Sequence, residues 1–211
     1  YNASAALMCS IGYVWLEVNY RGSTGYGRGY RNALCQNLGS LDTKDTVSSA
    51  GMLAERGLGD ANRIVVRGGS AGGYVVYNCL IQHPGVFKAG LCFFGVANLY
   101  TLDLETHKFE AHYTSSLVGE LPEAAGRYRA WSPVFHAAKI KDPLAIFQGS
   151  DDKVVPQNQS DEIAAIVQRS GIKMLYKVYP GEGHGFRKAE TILDVQRETE
   201  RFLMMNVLFD A

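Results

Sequence analysis

The stretch from Arg63 to Tyr74 constrains this 211-residue chain more than any other: a β-branched run, Ile64-Val65-Val66, enters Gly68-Gly69-Ser70-Ala71-Gly72 and then an apolar, helix-like segment. A serine held in Gly-x-Ser-x-Gly between strand and helix sits on a turn too tight for side chains on either side, which is why the flanking residues lack a Cβ. Such a turn presents a weakly nucleophilic hydroxyl beside unbonded backbone N–H groups. The rest of the chain repeats the same strand-then-helix rhythm. Strands are expected at Gly12–Val18, Leu91–Phe94, Leu144–Gln148 and Met174–Tyr179, and helices at Asp42–Arg56, Gly73–Gln82, Ser160–Arg169 and Ala189–Met205. This alternation predicts one α/β domain, a mostly parallel sheet flanked by helices. The segment Gly73–Gln82 is apolar almost all round and belongs under the sheet, whereas Gly95 to about Arg129 reads as an irregular, aromatic-bearing cap or pocket wall.

In an α/β-hydrolase sheet the partners of such a serine follow it in the order acid, then histidine. The strand Leu144–Gln148 runs into Ser150-Asp151-Asp152-Lys153-Val154-Val155-Pro156, which sets a carboxylate just past a strand's C-terminal end, where open α/β sheets build their sites. His184 follows, in the glycine-flanked loop Pro180-Gly181-Glu182-Gly183-His184-Gly185-Phe186. The remaining histidines, His83, His107, His112 and His136, read as surface or structural residues. The chemistry this order suits is acyl transfer, with Ser70 as nucleophile, His184 as proton carrier, an aspartate orienting the imidazole, and the Ala71 N–H donating to the developing oxyanion.

Four segments together resemble the prolyl oligopeptidase family of serine peptidases, its acylaminoacyl-peptidases and dipeptidyl aminopeptidases above all. They are Asn19-Tyr20-Arg21-Gly22-Ser23-Thr24-Gly25-Tyr26-Gly27, Gly68-Gly69-Ser70-Ala71-Gly72-Gly73-Tyr74, Gly149 to Pro156, and Glu182-Gly183-His184-Gly185-Phe186. The resemblance runs from about Gly12 to the last helix and implies the α/β-hydrolase fold and cleavage of short peptides. It also implies that the first of the paired aspartates, Asp151, is the acidic member of the triad, and that Lys153 stands where an arginine or asparagine commonly touches substrate. Tyr74, Val96, Leu99 and Val154 are implied as walls of an apolar pocket, with plain core packing the alternative for Tyr74 and Leu99. Family members carry an oxyanion loop and a β-propeller upstream of the matching region, and neither is found in this chain. The chain is therefore expected to be an N-terminally truncated piece, with an upstream propeller or a homo-oligomer as its partner. The strand bearing that loop belongs between Gly12–Val18 and Arg63–Val66, so these two either pair directly, flank a gap filled by another chain, or leave the sheet incomplete. Two other readings stay open: a small-ester hydrolase of the carboxylesterase or dienelactone-hydrolase kind, and an inactive truncated domain. The Asn19–Gly27 segment favours the peptidase.

Lysine plus arginine equals aspartate plus glutamate at 21 each, with no basic run, which gives no electrostatic support for nucleic acid or an anionic membrane as a partner. No apolar run reaches the 18 or so residues of a membrane span. Cys9, Cys35, Cys79 and Cys92 show no Cys-x-x-Cys spacing and sit mostly in apolar surroundings, so reduced, buried thiols in a cytoplasmic compartment are expected. No motif calls for a metal or organic cofactor.

Overall fold

A computed structural model describes residues 2–105 and 113–209. His107 and His112 lie outside the described residues, as does part of the excursion expected from Gly95. Four strands, β1 (Val65–Gly69), β2 (Ala89–Phe93), β3 (Leu144–Gly149) and β4 (Met174–Tyr179), form a parallel sheet in sequence order. Nine α-helices accompany them among the described residues: α1 (Ala3–Ser10), α2 (Arg28–Asn32), α3 (Leu41–Glu55), α4 (Ala71–Gln82), α5 (Leu99–Glu105), α6 (Tyr113–Val118), α7 (Ala125–Trp131), α8 (Gln157–Arg169) and α9 (Ala189–Leu203).

The strand pleat sorts the apolar side chains into two layers. Val66, Cys92, Leu144 and Ile146 meet α3, α4 and α8 through Ala50, Val76, Leu80, Ile163 and Val167. Leu91, Phe93, Ala145 and Phe147 face the opposite way, onto Met8 of α1 and Val195, Phe202 and Leu203 of α9. Period-two alternation in the strands and period-3.6 stripes in the helices thus build a three-layer sandwich from sequence pattern alone. Gly90 allows close packing, since a Cβ there would lie 2.7 Å from the Leu80 side chain and 3.0 Å from that of Val76. A third cluster, with Tyr74, Val96, Leu99, Val118 and Tyr128 at its centre, lies under α5 to α7.

The expected strand at Gly12–Val18 does not form: among the described residues this stretch pairs with no strand, and β1 pairs with β2 alone. Two of its aromatic residues, Tyr13 and Trp15, nevertheless pack toward the α9 layer while Val14 and Leu16 between them are exposed, and Tyr20, just beyond the stretch, packs toward the α4 layer. Such residues favour a half-buried extended chain, but a ladder also needs a neighbour within hydrogen-bond reach, and β1 is not that neighbour. Contact between the two is made by side chains, with the Arg67 guanidinium 5.1 Å from the Trp15 ring and 4.6 Å from that of Phe93. Burial pushes that guanidinium down to about 10. The following Asn19–Gly27 loop is tied to α3, Arg21 gripping Asp45 with its Nε (2.9 Å) and Nη2 (2.6 Å) and with its backbone N–H (2.8 Å).

Cys9 and Cys35 are exposed and Cys79 and Cys92 buried, all four unpaired, so the expectation of buried thiols holds for only one pair. Burial pushes the Cys92 thiol up to about 12. Among the described residues no helix is long and apolar enough to cross a membrane.

Candidate active site

Ser70 lies between β1 and α4 with φ 55°, a left-handed conformation that side-chain-bearing residues seldom adopt. The turn is enforced by its glycines: a Cβ on Gly68 would fall 2.3 Å from the Gly72 carbonyl oxygen, and one on Gly73 would fall 2.5 Å from the Gly95 Cα. The Ser70 N–H is already committed to the Phe93 carbonyl at 3.0 Å. Helix α4 closes its first bond from the Tyr74 N–H to the Ser70 carbonyl at 3.1 Å, which leaves Ala71, at the first helical position, among the amides with no intrahelical acceptor.

The loops after β3 and β4 bring the other two groups to the same edge of the sheet. They touch at Gly149, where a Cβ would lie 2.4 Å from the Glu182 carbonyl oxygen, and at the Asp151 N–H, which donates to that carbonyl at 2.9 Å. Glu182 is buried and ties down the far side of the histidine loop, accepting the Arg187 and Lys188 N–H groups at 2.9 Å each. Burial alone would raise its carboxyl, but those amides and the Thr191 hydroxyl outweigh it and hold the group below the usual carboxylate range.

Held this way, His184 places Nε2 2.9 Å from the Ser70 Oγ and Nδ1 2.9 Å from Oδ2 of Asp152. The acid beside the imidazole is therefore Asp152, not Asp151, which corrects the assignment implied by the family resemblance. The Asp152 side chain is wholly buried; its Oδ1 accepts the Val154 and Val155 N–H groups at 2.9 Å each, and its Oδ2 accepts Gln148 Nε2 at 3.3 Å. Gln148 is itself fixed by the Ser160 hydroxyl at 2.7 Å. Asp151 is exposed and accepts instead from the Ser150 hydroxyl at 2.6 Å, an oxygen that in turn accepts the Gly181 N–H. The sequence marks the turn, two aspartates ahead of Val154, Val155 and Pro156, but not which of them caps it; in the structure one Asp152 oxygen takes the Val154 and Val155 amides and the other is left for the imidazole.

The expected pocket walls need a second correction. Tyr74, Val96 and Leu99 are 3%, 6% and 2% exposed, and the Tyr74 hydroxyl donates to the Trp131 carbonyl at 2.9 Å. The third cluster needs their bulk to fill it, so they are core beneath the site and offer a ligand almost no side-chain surface. Val154 is half-buried against that cluster, and Lys153 is exposed on the loop. Sequence reasoning missed Phe94, at φ 40°, whose ring centroid lies 4.8 Å from that of His184 and 5.6 Å from that of Phe186. Among the described residues no group of three or more His, Cys, Asp and Glu is placed to hold a metal ion.

The arrangement gives a hydroxyl, a base that can take its proton, and a buried carboxylate that fixes the tautomer of that base, all at the C-terminal edge of a parallel sheet. A model of the prolyl oligopeptidase family matches residues 1–207. Dipeptidyl aminopeptidase BIII of Pseudoxanthomonas mexicana is 33% identical over 203 residues, 93% of this chain and 29% of that protein. An acylamino-acid-releasing enzyme of Arabidopsis thaliana is 30% identical over 217 residues, 100% of this chain and 28% of that protein. The solved structure of a puromycin-hydrolyzing peptidase of Mycobacterium tuberculosis superposes with a TM-score of 0.87 at 37% identity, covering 91% of this chain and 29% of that one. The sheet and its helices are thus those of the α/β-hydrolase peptidases, and the chain spans under a third of the length of the curated relatives it matches.

Proposed function

The chain belongs to the prolyl oligopeptidase family, and from that premise we propose that it is the hydrolytic part of a serine-type peptidase acting on short peptides. One observation carries the reading: two 2.9 Å contacts in series link the Ser70 hydroxyl through His184 to the buried Asp152 carboxylate. In the proposed reaction His184 Nε2 takes the Ser70 proton as Oγ attacks the carbonyl carbon. The carbonyl oxygen gains the negative charge and accepts the Ala71 N–H. Collapse of the tetrahedral adduct breaks the C–N bond, and His184 returns the proton to the leaving amine. Water then repeats the sequence on the acyl-serine and frees the acid and the hydroxyl. Asp152 holds the imidazole's orientation through Nδ1 and stabilises the imidazolium. Lys153 and Val154, next to Asp152 in sequence, are the proposed contacts to the peptide, while Tyr74, Val96 and Leu99 support the elbow from below. The four free thiols suit a reducing compartment, and the cytoplasm is the proposed site of action.

The test compares an aminoacyl amide, an acyl-aminoacyl amide and a small chromogenic ester as substrates of the wild-type chain and of Ser70→Ala. Amide cleavage that Ser70→Ala abolishes supports a peptidase. Cleavage of the ester with no amide turnover, or amide turnover that survives Ser70→Ala, rejects it.

A further inference from the structure

We propose that Phe94 is a positioning residue for His184, holding the imidazole in line with the Ser70 hydroxyl and favouring its cationic form through the face of its own ring. The proposal rests on the catalytic reading above. Phe94 immediately follows β2 at φ 40°, a conformation that glycine adopts freely and that strains a bulky residue. Its N–H is anchored to the Phe147 carbonyl at 2.7 Å, and Gly95 follows at the tight crossing with Gly73. A glycine would adopt that backbone without strain; what phenylalanine adds is the contacts of its ring.

Phe94 packs on the core layer that faces α9, and at the site its ring has three neighbours. It lies against Gly69, next to the nucleophile, where a Cβ would approach Cε2 to 3.0 Å. It meets the His184 ring at a centroid separation of 4.8 Å and a tilt of 60°. Its other neighbour is Phe186, 5.6 Å away and edge-on, which in turn packs edge-on against Tyr179 of β4 at 5.1 Å. The imidazole is thus held by hydrogen bonds at both nitrogens and by the tilted Phe94 ring packed beside it, and that ring connects the elbow to the histidine loop. A cation within about 6 Å of an aromatic ring's π system is stabilised by it, and His184 becomes a cation at the moment Ser70 gives up its proton. No charged side chain competes from β2 or from the Gly69 turn. From the β3 loop, Asp152 faces Nδ1, Asp151 is turned to Ser150, and Lys153 is exposed; on the histidine loop, Glu182 is bound to the Arg187 and Lys188 amides, the Lys188 ammonium donates to the Pro180 carbonyl at 2.8 Å, and the Arg187 and Lys188 side chains, unchanged in every variant compared below, line the same hollow as His184.

Phe94→Leu keeps an apolar neighbour while removing the π face, and tetrafluorophenylalanine at position 94 keeps the shape while drawing electron density from that face. Two readouts on the full chain are compared with Phe94→Tyr: the acid limb of the kcat/KM profile, and the NMR titration of the His184 ring protons, the latter also in Ser70→Ala. Both replacements of the π face are expected to lower the imidazole's titration midpoint by about half a pH unit, about threefold in proton affinity, with Phe94→Tyr matching the wild type. Equal midpoints in all four chains overturn the proposal, whatever their melting temperatures or rates. The titration in Ser70→Ala does not depend on turnover, so it reads Phe94 even where amide turnover surviving Ser70→Ala has rejected the catalytic reading. If Phe94→Leu does not fold, the fluorinated ring, nearly isosteric, decides alone.

Discussion

Replacing each of the paired aspartates by asparagine separates their roles. In Asp152→Asn the side-chain oxygen can stay with the Val154 and Val155 N–H groups, because both donate to the same carboxylate atom at 2.9 Å. The new NH₂ group then occupies the Oδ2 position, facing the Gln148 amide and His184 Nδ1, both of which reach that atom in the wild-type chain. Two donors cannot share that geometry, so the imidazole relaxes by moving its proton to Nε2, which turns the base away from its task at Ser70. The wrong tautomer in a triad costs about four orders of magnitude in kcat, which is about 5.5 kcal/mol of barrier. Asp151→Asn loses one exposed bond from the Ser150 hydroxyl, and surface changes of this kind stay within about 0.5 kcal/mol, about a factor of two. Steady-state turnover of a chromogenic amide, with circular-dichroism melts to confirm that both variants fold, should therefore separate the two by about a thousandfold or more. Asp151→Asn proving as damaging as Asp152→Asn refutes the reasoning and restores the assignment implied by resemblance.

Gly68→Ala places a Cβ 2.3 Å from a backbone oxygen that cannot rotate away, so urea unfolding should show a loss at or above the upper end of the ~1–3 kcal/mol typical of overpacking; a melt like that of the wild type would contradict the close crossing. Tyr74→Phe removes the bond to the Trp131 carbonyl and should cost about 1 kcal/mol of stability with KM unchanged, whereas a raised KM on intact stability would return Tyr74 to the substrate pocket. The Glu182 carboxyl titrates lower in the folded chain than in the unfolded one, so its contribution to stability is present above the unfolded value of about 4.3 and disappears as pH falls through the lower folded value. The difference in stability between wild type and Glu182→Gln should thus be largest near neutrality and shrink below about pH 4; a difference that grows on acidification contradicts that sign.

The elbow was legible because its demands are local: a β-branched strand, glycines where no Cβ fits, and an apolar helix leave one way to hold Ser70. His184 was legible through its glycine-flanked loop, and the fold does bring it to the serine. The choice between Asp151 and Asp152 was not, because neighbouring residues of one turn differ only in which backbone amides their oxygens meet, a matter of torsion angles rather than residue type. Tyr74, Val96 and Leu99 show the same limit on a larger scale, since an apolar side chain reads alike whether it lines a cavity or fills one, and the third cluster fills it. Residues 12–18 carry the composition of a strand without its hydrogen bonds, because pairing depends on a neighbour that a single segment cannot specify. Phe94 escaped notice because its importance lies in a left-handed backbone and a ring contact across the sheet edge, neither of which leaves a pattern in the sequence.

The central claim, that Ser70 is the activated hydroxyl, is tested most directly by reacting the chain with a fluorophosphonate and mapping the adduct by peptide mass spectrometry. Ser150 is the natural competitor, since its hydroxyl also lies at the sheet's C-terminal edge, bonded to a carboxylate but to no imidazole. The account predicts a single adduct on the peptide containing Ser70, absent from Ser70→Ala and slowed strongly by Asp152→Asn but not by Asp151→Asn. Labelling at Ser150, or labelling of Ser70 at the same rate with Asp152 replaced, would contradict it.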